Sequence, residues 1–210
     1  MSAAPAPLLR PELSELFVEL ANIGVGRAAA AMSDLAQKEV KISVPAVEII
    51  SLTRAETTLR LEEGPTLRVS QLLTGGMQGQ ALVLLSRAGA VRLAQLMLGR
   101  TDESDAFDEA EQAALLELGN IMIGGVVGTL ASQFQDTVGY DIPHLYLRGA
   151  SGVVELISDL VRPDCTDVLV MQARLSIDEI DVRSYFLLLL EDERLRLLAG
   201  KLDAVLSALG

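Results

Sequence analysis

Glu19-Leu20-Ala21-Asn22-Ile23 and Glu117-Leu118-Gly119-Asn120-Ile121 are one pentapeptide pattern met twice, 98 residues apart. Asn22 and Asn120 are the only asparagines among 210 residues, and each stands 23 positions before a proline, Pro45 or Pro143. Pro65 and Pro163 keep the same offset. An offset shared by positions this far apart marks an internal duplication. The repeats run over about 11–99 and 108–209, joined by an acidic linker near 100–107 that contains Thr101 to Asp105.

Each pentapeptide sits in a long helical pattern. The first is expected from Pro11 to about Gln37, with Pro11 suited to the first turn and Glu12 and Glu15 near the positive end of the dipole. Upstream, Met1 to Arg10 reads as a loose leader in which Leu8 and Leu9 could staple back onto the helix. The second helix is expected from Asp108 to about Gln135, opened by a capping box of Asp108 and Glu111. Strand character follows in both repeats. In the first it covers Val40 to Val44, Thr58 to Leu61, Leu67 to Leu73 and Ala81 to Leu85; in the second, Leu145 to Leu147, Val153 to Ile157, Val168 to Ala173 and Val182 to Leu190. A closing helix is expected over Ser86 to Leu98 and again over Glu191 to Leu209, with Gly99 just past the former. Gly75, Gly76 and Gly79 read as a turn between strands. Successive strands imply antiparallel pairing, and helices at both ends of each repeat imply layers covering the sheet. The fold class is therefore α/β, a pseudo-twofold antiparallel sheet flanked by long helices, read as one domain because each repeat is small for a core of its own.

Residues three apart on a helix point about 60° from each other, so Glu19 shares a face with Asn22, and Glu117 with Asn120. Glu12 and Glu15 extend the first polar stripe, while Leu13, Leu16, Phe17, Leu20 and Ile23 are placed on the apolar side. Leu115, Leu118, Ile121, Met122 and Val126 do the same in the second helix. Gly24, Gly26, Gly124, Gly125 and Gly128 follow the two pairs. Glycine inside a helix costs about 1 kcal/mol, so the cluster points to close approach of another backbone, with internal helix packing favoured over an external partner.

Composition narrows the function. A net charge of −12 disfavours nucleic acid and anionic membrane surfaces. No strongly apolar stretch is expected to fill the roughly 18–20 residues of a membrane span, Leu115 to Leu130 coming nearest but carrying Glu117 and Asn120, and the start lacks the basic and apolar segments of a secretory signal. The single cysteine, Cys165, can form no internal disulfide, and the cytoplasm is the expected compartment. His144 is the only histidine and lies far from Cys165 in the chain, so both are read as structural. No cluster of His, Cys or spaced carboxylates suits a metal, and no phosphate-cradling glycine loop is present. A Glu-x-x-Asn pair alone would be an ordinary solvated helix face. Its repetition, with no other asparagine in the chain, makes Glu19, Asn22, Glu117 and Asn120 the candidate functional residues.

This constellation resembles the CheC/CheX/FliY family of chemotaxis phosphatases, and among its branches the CheC-like one with two pairs. The family motif runs Asp or Ser, three residues, Glu, two residues, Asn, 22 residues, Pro. Glu19, Asn22 and Pro45 fit it, as do Glu117, Asn120 and Pro143, while Glu15 and Ala113 occupy the first position and depart from Asp or Ser. The resemblance implies hydrolysis of the aspartyl phosphate of the response regulator CheY. Asn would orient the attacking water and Glu would dock to the partner's active-site lysine. It implies no cofactor in this chain, a magnesium ion held by the partner, and a second partner, the receptor deamidase CheD. A non-enzymatic adaptor that binds a response regulator or a flagellar switch component on the same helix faces is the alternative. The prolines are expected to open or bound an edge strand beyond each helix.

Overall fold

The computed structural model describes residues 9–59, 66–100, 108–150, 153–178 and 180–209. In chain order its elements are α1 (Pro11–Ala36), β1 (Val40–Ser51), α2 (Leu52–Thr58), β2 (Thr66–Gly75), β3 (Gly79–Ser86), α3 (Arg87–Met97), α4 (Glu109–Gln133), β4 (Val138–Tyr140), β5 (His144–Ala150), α5 (Val153–Ile157), β6 (Asp167–Ile177), β7 (Ile180–Leu190) and α6 (Asp192–Leu209). The proposed linker at 101–107, Leu8 and Pro65 lie outside the described residues, whereas Leu9 packs into the core beside Leu13.

The helix signals act as expected. Pro11 stands in the first turn of α1, and Gln37 ends the helix in the left-handed region. At the start of α4, Asp108 accepts from the Glu111 backbone N–H at 2.8 Å and the Glu111 carboxylate accepts from the Asp108 N–H at 3.1 Å. Gly99 follows α3 at φ +65°. Two short segments behave differently. The strands expected over Thr58 to Leu61 and Val153 to Ile157 are absent; Thr58 ends α2, residues 60 and 61 fall outside the described residues, and 153–157 form α5. A brief apolar run reads alike as strand or buried helix, and burial decides it: Ala55, Leu59, Leu156 and Ile157 all pack into the smaller core.

Seven antiparallel strands form one sheet in the order β1-β6-β7-β3-β2-β4, with β5 also pairing β2. The repeats interleave: β1 of the first pairs with β6 of the second, and β4 and β5 of the second pair with β2 of the first. The central seam, β3 against β7, crosses between repeats as well. Residues of α1, α3, α4 and α6 bury one face of this sheet over the main core, and α2 and α5 cover the other. By length and composition α4 is apolar enough to cross a membrane, but 56% of its most apolar window is buried within the protein.

α1 and α4 cross where Gly24 meets Gly125. A Cβ at Gly24 would lie 2.6 Å from the Gly125 carbonyl oxygen, and one at Gly125 would lie 2.6 Å from that of Gly24. The glycine cluster thus serves internal packing at these two positions, while Gly26 and Gly124 face open space.

A pH dependence follows from two carboxylates. The hydrogen bond from Arg68 holds Asp159 below the ordinary carboxylate value of 3.8, and the Glu111 backbone N–H, followed by Arg100, does the same for Asp108. A depressed folded pKa gives stability that is present above the unfolded value and is lost as pH falls through the folded one. Melting temperatures of D159N and D108N should therefore approach that of the parent protein as pH falls below the ordinary carboxylate value of 3.8, with the gap opening toward about pH 7. A gap independent of pH would contradict this.

Candidate functional site

Glu19 and Glu117 are both exposed, and neither carboxylate has a partner among the described residues. The asparagines differ. Asn22 is half-buried, and its carboxamide is bonded on both sides to one peptide: Nδ2 donates to the Val44 carbonyl at 2.9 Å and Oδ1 accepts from the Val44 N–H at 2.9 Å. The second Nδ2 hydrogen goes to the Val18 carbonyl, also at 2.9 Å.

The reason lies in β1, an edge strand. Its register against β6 shifts between Ser43 and Ala46, where Ser43 faces Arg174 and Ala46 faces Gln172. The extra residue is a bulge that contains Pro45, which has no N–H to give a ladder. Val44 drops out of register, and Asn22 supplies the missing peptide-like partner. Pro45 therefore lies within an edge strand rather than opening it, while Pro143 does stand immediately before β5.

Each net hydrogen bond of this kind is worth roughly 1 kcal/mol. Alanine at Asn22 should lower stability by about 2 kcal/mol, a melting shift of roughly 4–8 °C in a chain of this size. An unchanged melting temperature would show that the clamp contributes nothing.

In the second repeat the same stretch is broken. β4 and β5, separated by residues 141–143, occupy the positions that β1 fills without a break. Asn120 is exposed and does not reach the strand. Its Oδ1 accepts a long hydrogen bond from Gln71 Nε2 at 3.4 Å, and the same Nε2 donates to the Asp141 carbonyl at 2.6 Å. Asp141 Oδ1 in turn accepts from the Ile142 N–H at 2.8 Å. No partner of the Asn120 Nδ2 group occurs among the described residues.

The first helix face needs one correction. Ile23, placed on the apolar side by periodicity, is 45% exposed, because position 23 follows Glu19 by one helical turn and shares its outward face. Ile121 is half-buried, whereas Leu13, Leu16, Phe17, Leu20, Leu115, Leu118, Met122 and Val126 are buried as expected. Ile142 and Tyr140, which the sequence reading did not single out, are exposed on the broken strand that follows α4. Gln71 also went unnoticed, since a lone glutamine in an apolar strand carries no motif.

His144 and Cys165 lie apart. His144 opens β5 opposite Ser70, while Cys165 is buried in the smaller core and donates to the Asp167 carbonyl. Burial, then the charges of Asp192, Asp164 and Asp167, push its thiol up to about 11, so it stays protonated and unreactive near neutrality. Among the described residues no group of three or more His, Cys, Asp or Glu is placed to hold a metal ion.

A model of the CheC-like family matches residues 18–49, the stretch that holds Glu19, Asn22, the Val44 clamp and Pro45. The CheY-P phosphatase CheC of Bacillus subtilis is 25% identical over 149 residues, covering 70% of this chain and 71% of that protein. The chain is similar to the CheC/CheX/FliY family. The flagellar motor switch phosphatase FliY of the same organism is 24% identical over 131 residues, and the match spans 61% of this chain but only 34% of that longer relative. In structure, Thermotoga maritima FliY superposes with a TM-score of 0.75 over 93% of this chain and 98% of its own, at 20% identity. Likeness at that identity shows the shared fold, an antiparallel sheet carrying long helices, and leaves the chemistry to the side chains.

Proposed function

We propose that this protein hydrolyses the aspartyl phosphate of a CheY-type response regulator, using Glu19 with Asn22 and Glu117 with Asn120. The observation that carries the reading is the recurrence, on α1 and α4, of an outward glutamate with an asparagine three residues on, in a chain whose relatives include a CheY-P phosphatase.

The chemistry suits so sparse a site. Water attacks phosphorus, the bond from phosphorus to the aspartyl oxygen breaks, and the products are inorganic phosphate and a free carboxylate. The water's proton leaves to phosphate or solvent. A carboxylate is a good leaving group and needs no strong acid, so positioning and charge stabilisation supply most of the rate. A carboxamide can accept from the water at Oδ1 and donate through Nδ2 to a phosphoryl oxygen without adding negative charge beside an anion. Glu19 and Glu117, repelled by the phosphoryl group itself, dock to the active-site lysine of the regulator, whose own magnesium completes the charge balance.

The test is phosphate release from phosphorylated CheY. The N22A/N120A double variant should be inactive while retaining its fold by circular dichroism, and full activity in that variant would remove the assignment. A second reading, an adaptor that binds the regulator without hydrolysis, is favoured at one place only. The Asn22 amide has spent both N–H donors on Val18 and Val44, which suits the first pair to docking more than to chemistry. Binding of phosphorylated CheY without faster phosphate release by the unaltered protein would select it. Association with a CheD-type deamidase belongs to the same proposal, and purified CheD should co-elute with the protein; separate elution removes that partner.

A further inference from the structure

Gln71 is 2% exposed, a polar side chain in the main core layer between β2 and α4. Register shows why it has no counterpart in the first repeat. Val47 faces Met171, and its counterpart 98 residues on, Leu145, faces Val69. Met171 thus corresponds to Val69, and two residues along each strand Ala173 corresponds to Gln71. Where Ala173 leaves room, Asn22 turns inward and closes on the strand. Gln71 fills that room in the second repeat, donates to the Asp141 carbonyl in the break between β4 and β5, and meets Asn120 only at its oxygen. α4 also sits tightly on β2 here: a Cβ at Gly119, the residue before Asn120, would collide with the Val69 side chain.

The two amides are left with different capacities. A carboxamide has two acceptor sites on oxygen and two donors on nitrogen. Asn22 keeps one acceptor site and no donor; Asn120 keeps one acceptor site and both donors among the described residues. Only Asn120 can accept from a water and donate to a phosphoryl oxygen at once. Gln71 Oε1, meanwhile, is buried with no hydrogen-bond partner, an arrangement that an apolar side chain of similar shape would not suffer.

We infer that Gln71 is a positioning residue of the second site, holding Asn120 by its oxygen so that its amide nitrogen faces the phosphoryl group. This rests on the phosphatase reading above. The occupant of the site is the phosphorylated response regulator already proposed, and the addition is that the Asn120 amide is oriented and that of Asn22 is committed.

Because the chain has only two asparagines, selective asparagine ¹⁵N labelling gives two side-chain amide pairs. The Asn22 pair should exchange slowly with solvent and the Asn120 pair fast. Q71M, which keeps length but removes the donor, should move the Asn120 pair and leave the Asn22 pair in place. In the N22A protein, where only the second site operates, Q71M should lower kcat about tenfold with KM for phosphorylated CheY within about twofold, the size expected for lost orientation of a reacting group. Combined with N120A it should cause no further loss. Q71L serves as a second apolar replacement should Q71M fold poorly, and melting curves accompany both. A Q71M effect that is undiminished in the N120A protein, or an unchanged kcat in the N22A protein, overturns the inference. If N22A/N120A retains full phosphate release, the phosphatase site itself is wrong. If that double variant is dead and Q71M has no effect, only the role of Gln71 fails.

Discussion

Alanine at Asn120 is expected to slow phosphate release from phosphorylated CheY by on the order of 10- to 100-fold, while the melting temperature moves by no more than about 1 °C. The first number follows from removing the one carboxamide that retains both donors and an acceptor site. The second follows from its exposure and its single long bond to Gln71. Asn22 should show the reverse ordering, a clear loss of stability and a smaller loss of turnover. The comparison is read from initial rates well below each variant's melting temperature, with N120D as a control that keeps size and removes the donors. Equal activity losses at the two positions, after correction for folded fraction, would contradict the ranking.

Valine at Gly125 is expected to cost about 3 kcal/mol or more and to lower the melting temperature by roughly 6–12 °C. Its Cβ would lie 2.6 Å from the Gly24 carbonyl oxygen and 3.2 Å from the Ala28 Cβ, so α1 and α4 would have to separate. Neither neighbour can yield like the end of a long side chain, because the first is backbone and the second is a methyl group held in the core. Gly24→Val should behave alike from the other side. Alanine at Gly26 or Gly124 meets nothing within 4 Å and should instead stabilise by up to about 1 kcal/mol, by helix propensity alone. Thermal melts of the four variants separate the two classes, and a tolerated valine at both Gly24 and Gly125 would mean that the helices are not in backbone contact.

The duplication was legible because its markers are rare residues at one offset, and the long helices because Pro11, Asp108 and Glu111 announce their starts. α2 and α5 were not, since helices of seven and five residues are too short to show a period that tells helix from strand. Interleaving of the repeats was also invisible. Hydrophobic alternation identifies Val40 to Val44 as a strand but says nothing of its partner, which proves to be β6. At the candidate site, the pairing of Glu with Asn could be read from spacing. The difference between Asn22 and Asn120 could not, because it depends on a backbone group at Val44 and on whether Ala173 or Gln71 stands opposite. Ile23 was misplaced because a helix period assigns a side to each residue without knowing how wide the buried stripe is.

The exchange of strands between repeats bears on how the molecule is made. As the chain is synthesised, β1 is complete by Ser51, yet the strand it must join begins only at Asp167. Until then an edge with Pro45 at its bulge waits without its ladder partner, and β2 likewise waits for β4 and β5. Contacts this distant in sequence slow folding, because loop closure comes before any reward. The nascent first repeat is therefore an unfinished sheet for most of translation, exposed to pairing with the first repeat of another copy. A ribosome-bound or truncated chain ending near Arg100 should be the aggregation-prone species of this protein, and supplying the second repeat in trans should rescue its solubility.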